Sequence, residues 1–304
     1  LCKSIKFINF ANRVIMLRKG APIRKFKLRL ASVIPGNSVT IDSLIFAALS
    51  CTLQEVDIFI YSDKNWKLAR AGLFSCKTLV TLKVIGGEVD LVLPDSVYLP
   101  NLKALHLLEL APVDAQSITR LINACPLLEE LVLGVESHNL SKRLLTRAVD
   151  LSSPSLKKLI LSGRLAGCPY VIESKNLEYL EYRARQTQQI SLDAPNVKYL
   201  IYSSLDSINL IQNLKSLVEA KIRVHCSSYP TERGFSLNDL HAFVKGLESV
   251  KSLYLYHSSL QVSLHLILLL VSRSGAFPLS CNNMELHVYS LTFSDLLEGS
   301  LPLS

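Results

Sequence analysis

Apolar positions along this chain recur in one short phrase: an aliphatic residue followed three and five positions later by two more. Leu102, Leu105 and Leu107 make it in LPNLKALHLLEL, and Leu128, Leu131 and Leu133 repeat it 26 residues on. Looser copies start at Ile23, Leu53, Leu79, Leu156, Leu177, Val197, Leu217 and Val250, at spacings between 20 and 33 residues. An eleventh, around Met284, Leu286 and Val288, is degenerate. Residues between the aliphatic ones are mostly polar or charged, as expected of a short strand with one face in a core and one in solvent.

Self-similarity at this period is the signature of a leucine-rich repeat, a coil of one strand and a returning outer segment that completes its core only by stacking on its neighbours. The expected fold is therefore α/β, a leucine-rich-repeat solenoid or horseshoe of about ten irregular repeats, with a parallel sheet on its concave side. Outer helices are expected in the longer repeats. One runs over Ala115–Ala124 behind Asp114, with Ile118, Leu121 and Ile122 on one side and Pro126 beyond. Thr40 before 41–49 and Ser236 before 237–245 predict two more. The short spacers instead hold Val171-Ile172 and Ile190-Ser191-Leu192, which predict extended segments. Upstream, Phe7, Ala11, Val14 and Leu17 predict an amphipathic helix that ends near Gly20. The expected organisation is a capping helix in 1–22, repeats over 23–291 and a separate C-terminal region, 292–304.

Composition adds little to the fold but constrains the function. Nine of the 33 basic residues precede Asp42, the first acid, which leaves 24 basic against 25 acidic residues in the rest of the chain. The net charge of +8 is thus a feature of one end, which argues against nucleic acid bound along the whole molecule. Seven cysteines, with no Cys-x-x-Cys pair, fit a reducing compartment. Cys51, Cys76 and Cys125 lie just before repeat phrases and are expected to be small buried filler. The longest aliphatic run, 264–271, is too short to cross a bilayer, and no secretory signal is visible, so the expected location is cytoplasm or nucleus. The lone Asn139-Leu140-Ser141 sequon is read as chance.

No phosphate loop, Gly-x-Gly-x-x-Gly, Gly-x-Ser-x-Gly or His-Glu-x-x-His signature occurs. His225 and Cys226 are adjacent, but neighbours on a strand point to opposite faces and make a poor base and nucleophile. Function is expected to be binding, without catalysis, metal or cofactor. Strand alternation selects the side chains on the concave face. The candidate partner-binding residues are Lys25, Lys27, Arg29, Lys83, His106, Tyr179, Glu181, Arg183, Tyr199, Tyr254 and Tyr256. Tyr and Arg dominate binding energy at protein interfaces, which favours Tyr179, Arg183, Tyr199, Tyr254 and Tyr256 as anchors. Tyr182 and Tyr202 fall in the apolar column and are expected in the core. The triple Lys25, Lys27 and Arg29 reads as a solvated basic edge, with an acidic segment or a phosphorylated cofactor as its other possible ligands.

In order along the chain, FANRVIMLRKGAPIRKFKLRL (10–30), LFSCKTLVTLKV (73–84), YLPNLKALHLLEL (98–110), LINACPLLEELVL (121–133), SPSLKKLIL (153–161) and SLDAPNVKYLIY (191–202) resemble plant F-box proteins with leucine-rich repeats, many of which end in an FBD region. The resemblance implies the substrate-recognition subunit of an SCF-type E3 ubiquitin ligase, monomeric, with a target protein on the concave face. In such a subunit an F-box grips a Skp adaptor, and through it a cullin, and catalysis is by proximity. In the family's order the F-box is expected upstream of Leu1, and 292–304 is expected to open the FBD region. A second reading is a stand-alone leucine-rich-repeat scaffold, inhibitor or decoy without ligase association, and a third is a small-molecule co-receptor.

Overall fold

Each aliphatic phrase becomes a strand, and each of these ten strands starts two residues after the phrase's first aliphatic position. The computed structural model describes residues 2–18, 21–30, 38–49, 52–68, 72–110, 115–135, 148–163, 169–184, 190–204, 214–224, 250–257 and 285–290. Two units divide the chain, Leu1–Ser174 and Lys175–Ser304.

In the first unit the elements run α1 (Cys2–Leu17), β1 (Lys25–Leu30), α2 (Ser38–Leu49), β2 (Glu55–Leu68), β3 (Thr81–Leu91), β4 (Ala104–Leu110), α3 (Ala115–Asn123), β5 (Glu130–Val135), β6 (Val149–Asp150), β7 (Lys158–Gly163) and β8 (Tyr170–Glu173). Strands β1, β2, β3, β4, β5 and β7 form a parallel sheet in that order. The second unit holds β9 (Tyr179–Ala184), β10 (Ile190–Asp193), β11 (Tyr199–Ser204), β12 (Glu219–Val224), β13 (Ser252–His257) and β14 (Glu285–Ser290). Here β9, β11, β12, β13 and β14 are parallel neighbours. Leucine-rich-repeat stacking is therefore the architecture of both units.

The phrase residues are the core. From Leu53 to Leu255 every aliphatic or Tyr position of nine phrases is buried, whereas Ile23 and Phe26 of the first are only half-buried. Tyr182 and Tyr202 replace the last aliphatic residue of two phrases and stack with ring centroids 5.6 Å apart. Register keeps these columns aligned, with Leu105 opposite Leu131 and Leu107 opposite Leu133.

Neighbouring coils are also clamped at the strand entrance. At many strand entrances the carbonyl just before the strand accepts two N–H groups from the next coil: Lys103 O takes Glu129 N at 2.8 Å and Glu130 N at 2.9 Å. The pattern recurs at Arg24, Gln54, Val80, Glu129, Glu178, Lys198 and Val218. Both amides at the corner are thereby satisfied where the chain turns into the sheet. Short polar side chains brace the turns before them, as Asn101 Nδ2 donates to Lys77 O at 2.8 Å and Asn196 Nδ2 to Lys175 O at 2.7 Å.

The outer segments follow repeat length. Ala115, Ile118, Leu121 and Ile122 form the buried side of α3, and Thr119 ties it to Asp150 of β6. The short spacers hold β8 and β10 where extended segments are expected. Helix α2 starts at Ser38, so Thr40 lies within its first turn instead of capping it; helix ends shift this far because the first turn is held by few internal bonds. Asp114, the helix expected over 237–245, the pair His225 and Cys226, the 264–271 run, the sequon, Cys51, Met284 and the region 292–304 lie outside the described residues.

Helix α1 packs on α2 with a different face from the one the apolar spacing suggests. Ile8 is buried, with Ala11, Asn12 and Ile15 half-buried on the same side, while Phe7, Val14 and Leu17 are exposed. Both stripes have helical spacing, and the one meeting α2 is rotated by about one residue. Among the cysteines, Cys125 is buried and donates to Leu121 O at 3.2 Å, whereas Cys76 is only half-buried, beside Thr78.

Candidate functional site

Positions between the buried columns line up across each sheet into rows on the opposite face. In the first unit one row runs Lys27, Asp57, Lys83, His106, Val132, Ile160, and the next runs Arg29, Phe59, Ile85, Leu108, Gly134, Ser162. All five first-unit candidates, Lys25, Lys27, Arg29, Lys83 and His106, lie on this face.

The basic triple of β1 is matched by acids of β2. Lys25 Nζ lies 2.6 Å from Glu55, and Arg29 donates two hydrogen bonds to the Asp57 carboxylate at 3.0 and 2.9 Å while resting over the Phe59 ring. Lys27 stands 4.0 Å from Asp57. The hydrogen bond to Glu55 raises the Lys25 pKa further above its ordinary range. These exposed pairs add little stability, but they satisfy locally much of the charge that a polyanion would need.

Farther along, His106 Nε2 is 3.3 Å from Glu130 Oε1, and Lys158 Nζ is 3.0 Å from the same oxygen. Burial lowers the His106 pKa, with Lys83 and Lys158 acting the same way and Glu130 opposing them. Glu129 bridges Lys103 and Lys157 at the strand entrance, and these contacts lower its carboxyl pKa.

In the second unit Tyr179 donates to Glu181 Oε2 at 2.7 Å, and Arg183 Nε meets Glu181 Oε1 at 2.7 Å. Glu181 is buried between them, and burial followed by the bond to Glu181 pushes the Tyr179 phenol up. Tyr199, on the neighbouring strand opposite Tyr179, is 45% exposed.

Toward β14 the face becomes aromatic and basic. Lys221 sits over Tyr254, Arg223 over Tyr256, and Tyr254 stacks on His287 at 4.6 Å. Tyr256 is only 7% exposed and offers a partner little area, unlike half-buried Tyr254. His287, Lys221 and Arg223 join the candidates here. The signal for His287 was the degenerate eleventh phrase, since Leu286 and Val288 pair with Leu253 and Leu255 and set its phase.

The face therefore presents fixed charges, aromatic rings and aliphatic groups, the means of protein recognition. Among the described residues no group of three His, Cys, Asp or Glu could hold a metal ion. No described helix is long and apolar enough to cross a membrane.

Comparison with known proteins agrees with the repeat architecture. Residues 42–229 match the family model described as the LRR repeats of FBD-associated F-box protein At5g56370. F-box protein At3g62430 of Arabidopsis thaliana is 30% identical over 83% of this chain and 54% of its own length. F-box protein At1g56610 of the same plant is 31% identical over 85% of the chain and 47% of its own length. F-box/LRR-repeat protein At3g59190, also from Arabidopsis thaliana, is 28% identical over 86% and 64%. The chain thus spans about half the length of the first two relatives. No solved structure matches it.

Proposed function

The chain belongs to the leucine-rich-repeat family of the FBD-associated F-box proteins, and from that premise we propose that it is the substrate-recognition part of an SCF-type E3 ubiquitin ligase. The target protein lies against the strand face, and the gene product reaches a Skp adaptor and a cullin through an F-box. The chain itself catalyses nothing; it raises the local concentration of a target lysine at the ubiquitin-charged enzyme. Helix α1 caps the first repeat by packing on α2, and the protein works as a monomeric receptor in cytoplasm or nucleus.

One observation carries the reading: the family match extends across the repeats that carry Lys83 and His106 in the first unit and Tyr179, Glu181, Arg183 and Tyr199 in the second. A parallel sheet edged by paired charges and aromatic rings suits a protein surface, whose anchors are Tyr and Arg side chains. Matching of Lys25 and Arg29 by Glu55 and Asp57 weighs against a phosphorylated co-receptor ligand on β1.

The test is purification of the endogenous product with an antibody to the repeats, with its intact mass and bound proteins read together. Co-purification of a Skp adaptor and a cullin is the expected result. A product that carries neither contradicts the ligase reading and leaves a stand-alone binder.

A further inference from the structure

Among the described residues of the first unit's strand face, Lys83 is a cation that the sheet has left without a counter-charge. Asp57 is opposite Lys83 in the register, yet its carboxylate is held two-pronged by Arg29 on the other side. Among the described residues Lys83 makes no ion pair. Its neighbour across β4 is His106, which faces Glu130, and Glu130 is already taken by Lys158. Lys83 and Lys158 together with one shared carboxylate leave the patch cationic.

Beside that charge lies an apolar shelf. Ile85 and Leu108 sit in one row, Val132 and Ile160 in the adjoining row. Gly134 makes the shelf flat: a Cβ there would stand 2.7 Å from Leu108 Cδ2 and 2.9 Å from Ser162 Oγ, so Leu108 lies down only because position 134 has no side chain. Next to Leu108 the ladder bulges. Pairing passes from Leu108 opposite Gly134 to Leu110 opposite Val135, and the skipped residue, Glu109, has φ of 54°. A glutamate held in the left-handed region is strained, and such bulges re-aim side chains beside functional surfaces.

We propose that this patch seats an extended segment of a partner protein in which an acidic residue stands next to an aliphatic or aromatic one. The carboxylate pairs with Lys83 beside His106, and the apolar side chain covers Leu108 and Ile85. Charge complementarity selects the occupant, since a half-buried lysine beside an apolar shelf favours a carboxylate and disfavours a basic segment. A highly charged polyanion fits less well, because it has nothing to place on the shelf. The proposal rests on the reading that the strand face binds the target.

The probe is an immobilised peptide array in which Asp, Asn or Lys is combined with Leu, Phe or Ser at adjacent and next-adjacent positions, screened with the whole chain. Selection of peptides carrying Asp together with Leu or Phe is the expected outcome. Lys83→Glu should weaken the selected peptides at least tenfold and remove the preference for Asp over Asn. Gly134→Ala, which lifts Leu108, should remove the preference for Leu or Phe over Ser. Lys77→Glu, away from the patch, should change neither. Lys83→Gln, with fold confirmed by circular dichroism, stands in if Lys83→Glu does not fold. No selection by the wild-type chain overturns the proposal, as does selection unchanged by either Lys83 variant, or equal retention by an RNA homopolymer. Adaptor co-purification does not depend on Lys83, so it tests the ligase reading separately.

Discussion

Tyr182 and Tyr202 stack inside the second unit, 5.6 Å between centroids and 30° between planes, at positions where the repeat elsewhere uses Leu, Ile or Val. Both are almost completely buried. Each ring fills the space between two coils, so Tyr182→Ala should cost about 3–5 kcal/mol. Tyr182→Leu, which restores the usual phrase, should cost less than half as much. Urea denaturation of the two variants checks the order.

The rotation of α1 makes its own prediction. Ile8→Ala should destabilise by about 2–4 kcal/mol because Ile8 is fully buried. Phe7→Ala, one residue earlier and more than half exposed, should stay within about 0.5 kcal/mol. The opposite ranking would mean that α1 packs by the Phe7, Val14, Leu17 stripe. Midpoints in urea at constant slope decide it.

Burial pushes the Cys125 thiol up from its ordinary value of 9.0 to about 12. The native protein should therefore leave Cys125 unmodified by iodoacetamide at pH 8 while half-exposed Cys76 reacts. Between pH 9 and about 12 the unfolded thiol ionises and the folded one does not. Cys125 thus contributes stability below pH 9 that is lost as pH rises through that window. Cys125→Ala should flatten this part of the stability profile.

His106 behaves in the other direction. Burial depresses its pKa, with Lys83 on β3 and Lys158 on β7 adding to the effect and Glu130 on β5 opposing it. The folded chain holds the proton more weakly than the unfolded chain, so stability present above the ordinary histidine range declines as pH falls through the folded pKa. NMR titration should find the His106 ring below 6.5, and Lys83→Gln should raise it.

Much of this architecture was legible in the residues, because a three-residue apolar phrase sets strand, phase and face together. Once Leu53 and Leu79 are in phase, Glu55, Asp57 and Lys83 must share one surface. What spacing could not reveal was partner choice among neighbours. Asp57 lies between Lys27 and Lys83 in its row but turns to Arg29, and only geometry settles which cation remains unmatched. Helix α1 offers two apolar stripes one residue apart, and the contact with α2 selects between them. The bulge at Glu109 had no signal at all, since glutamate is a poor left-handed residue and nothing nearby marks a break.

The strand face of this repeat domain is proposed to choose the proteins that are ubiquitinated. The most direct measurement is quantitative profiling of ubiquitin-modified lysines in plant cells expressing the full gene product, beside an otherwise identical product carrying Lys83→Glu and Tyr254→Ala. The expected result is a small set of proteins whose modification rises with the first product and not with the second, while both retain the Skp adaptor. An unchanged set with both products, or a set that rises equally with both, would contradict it.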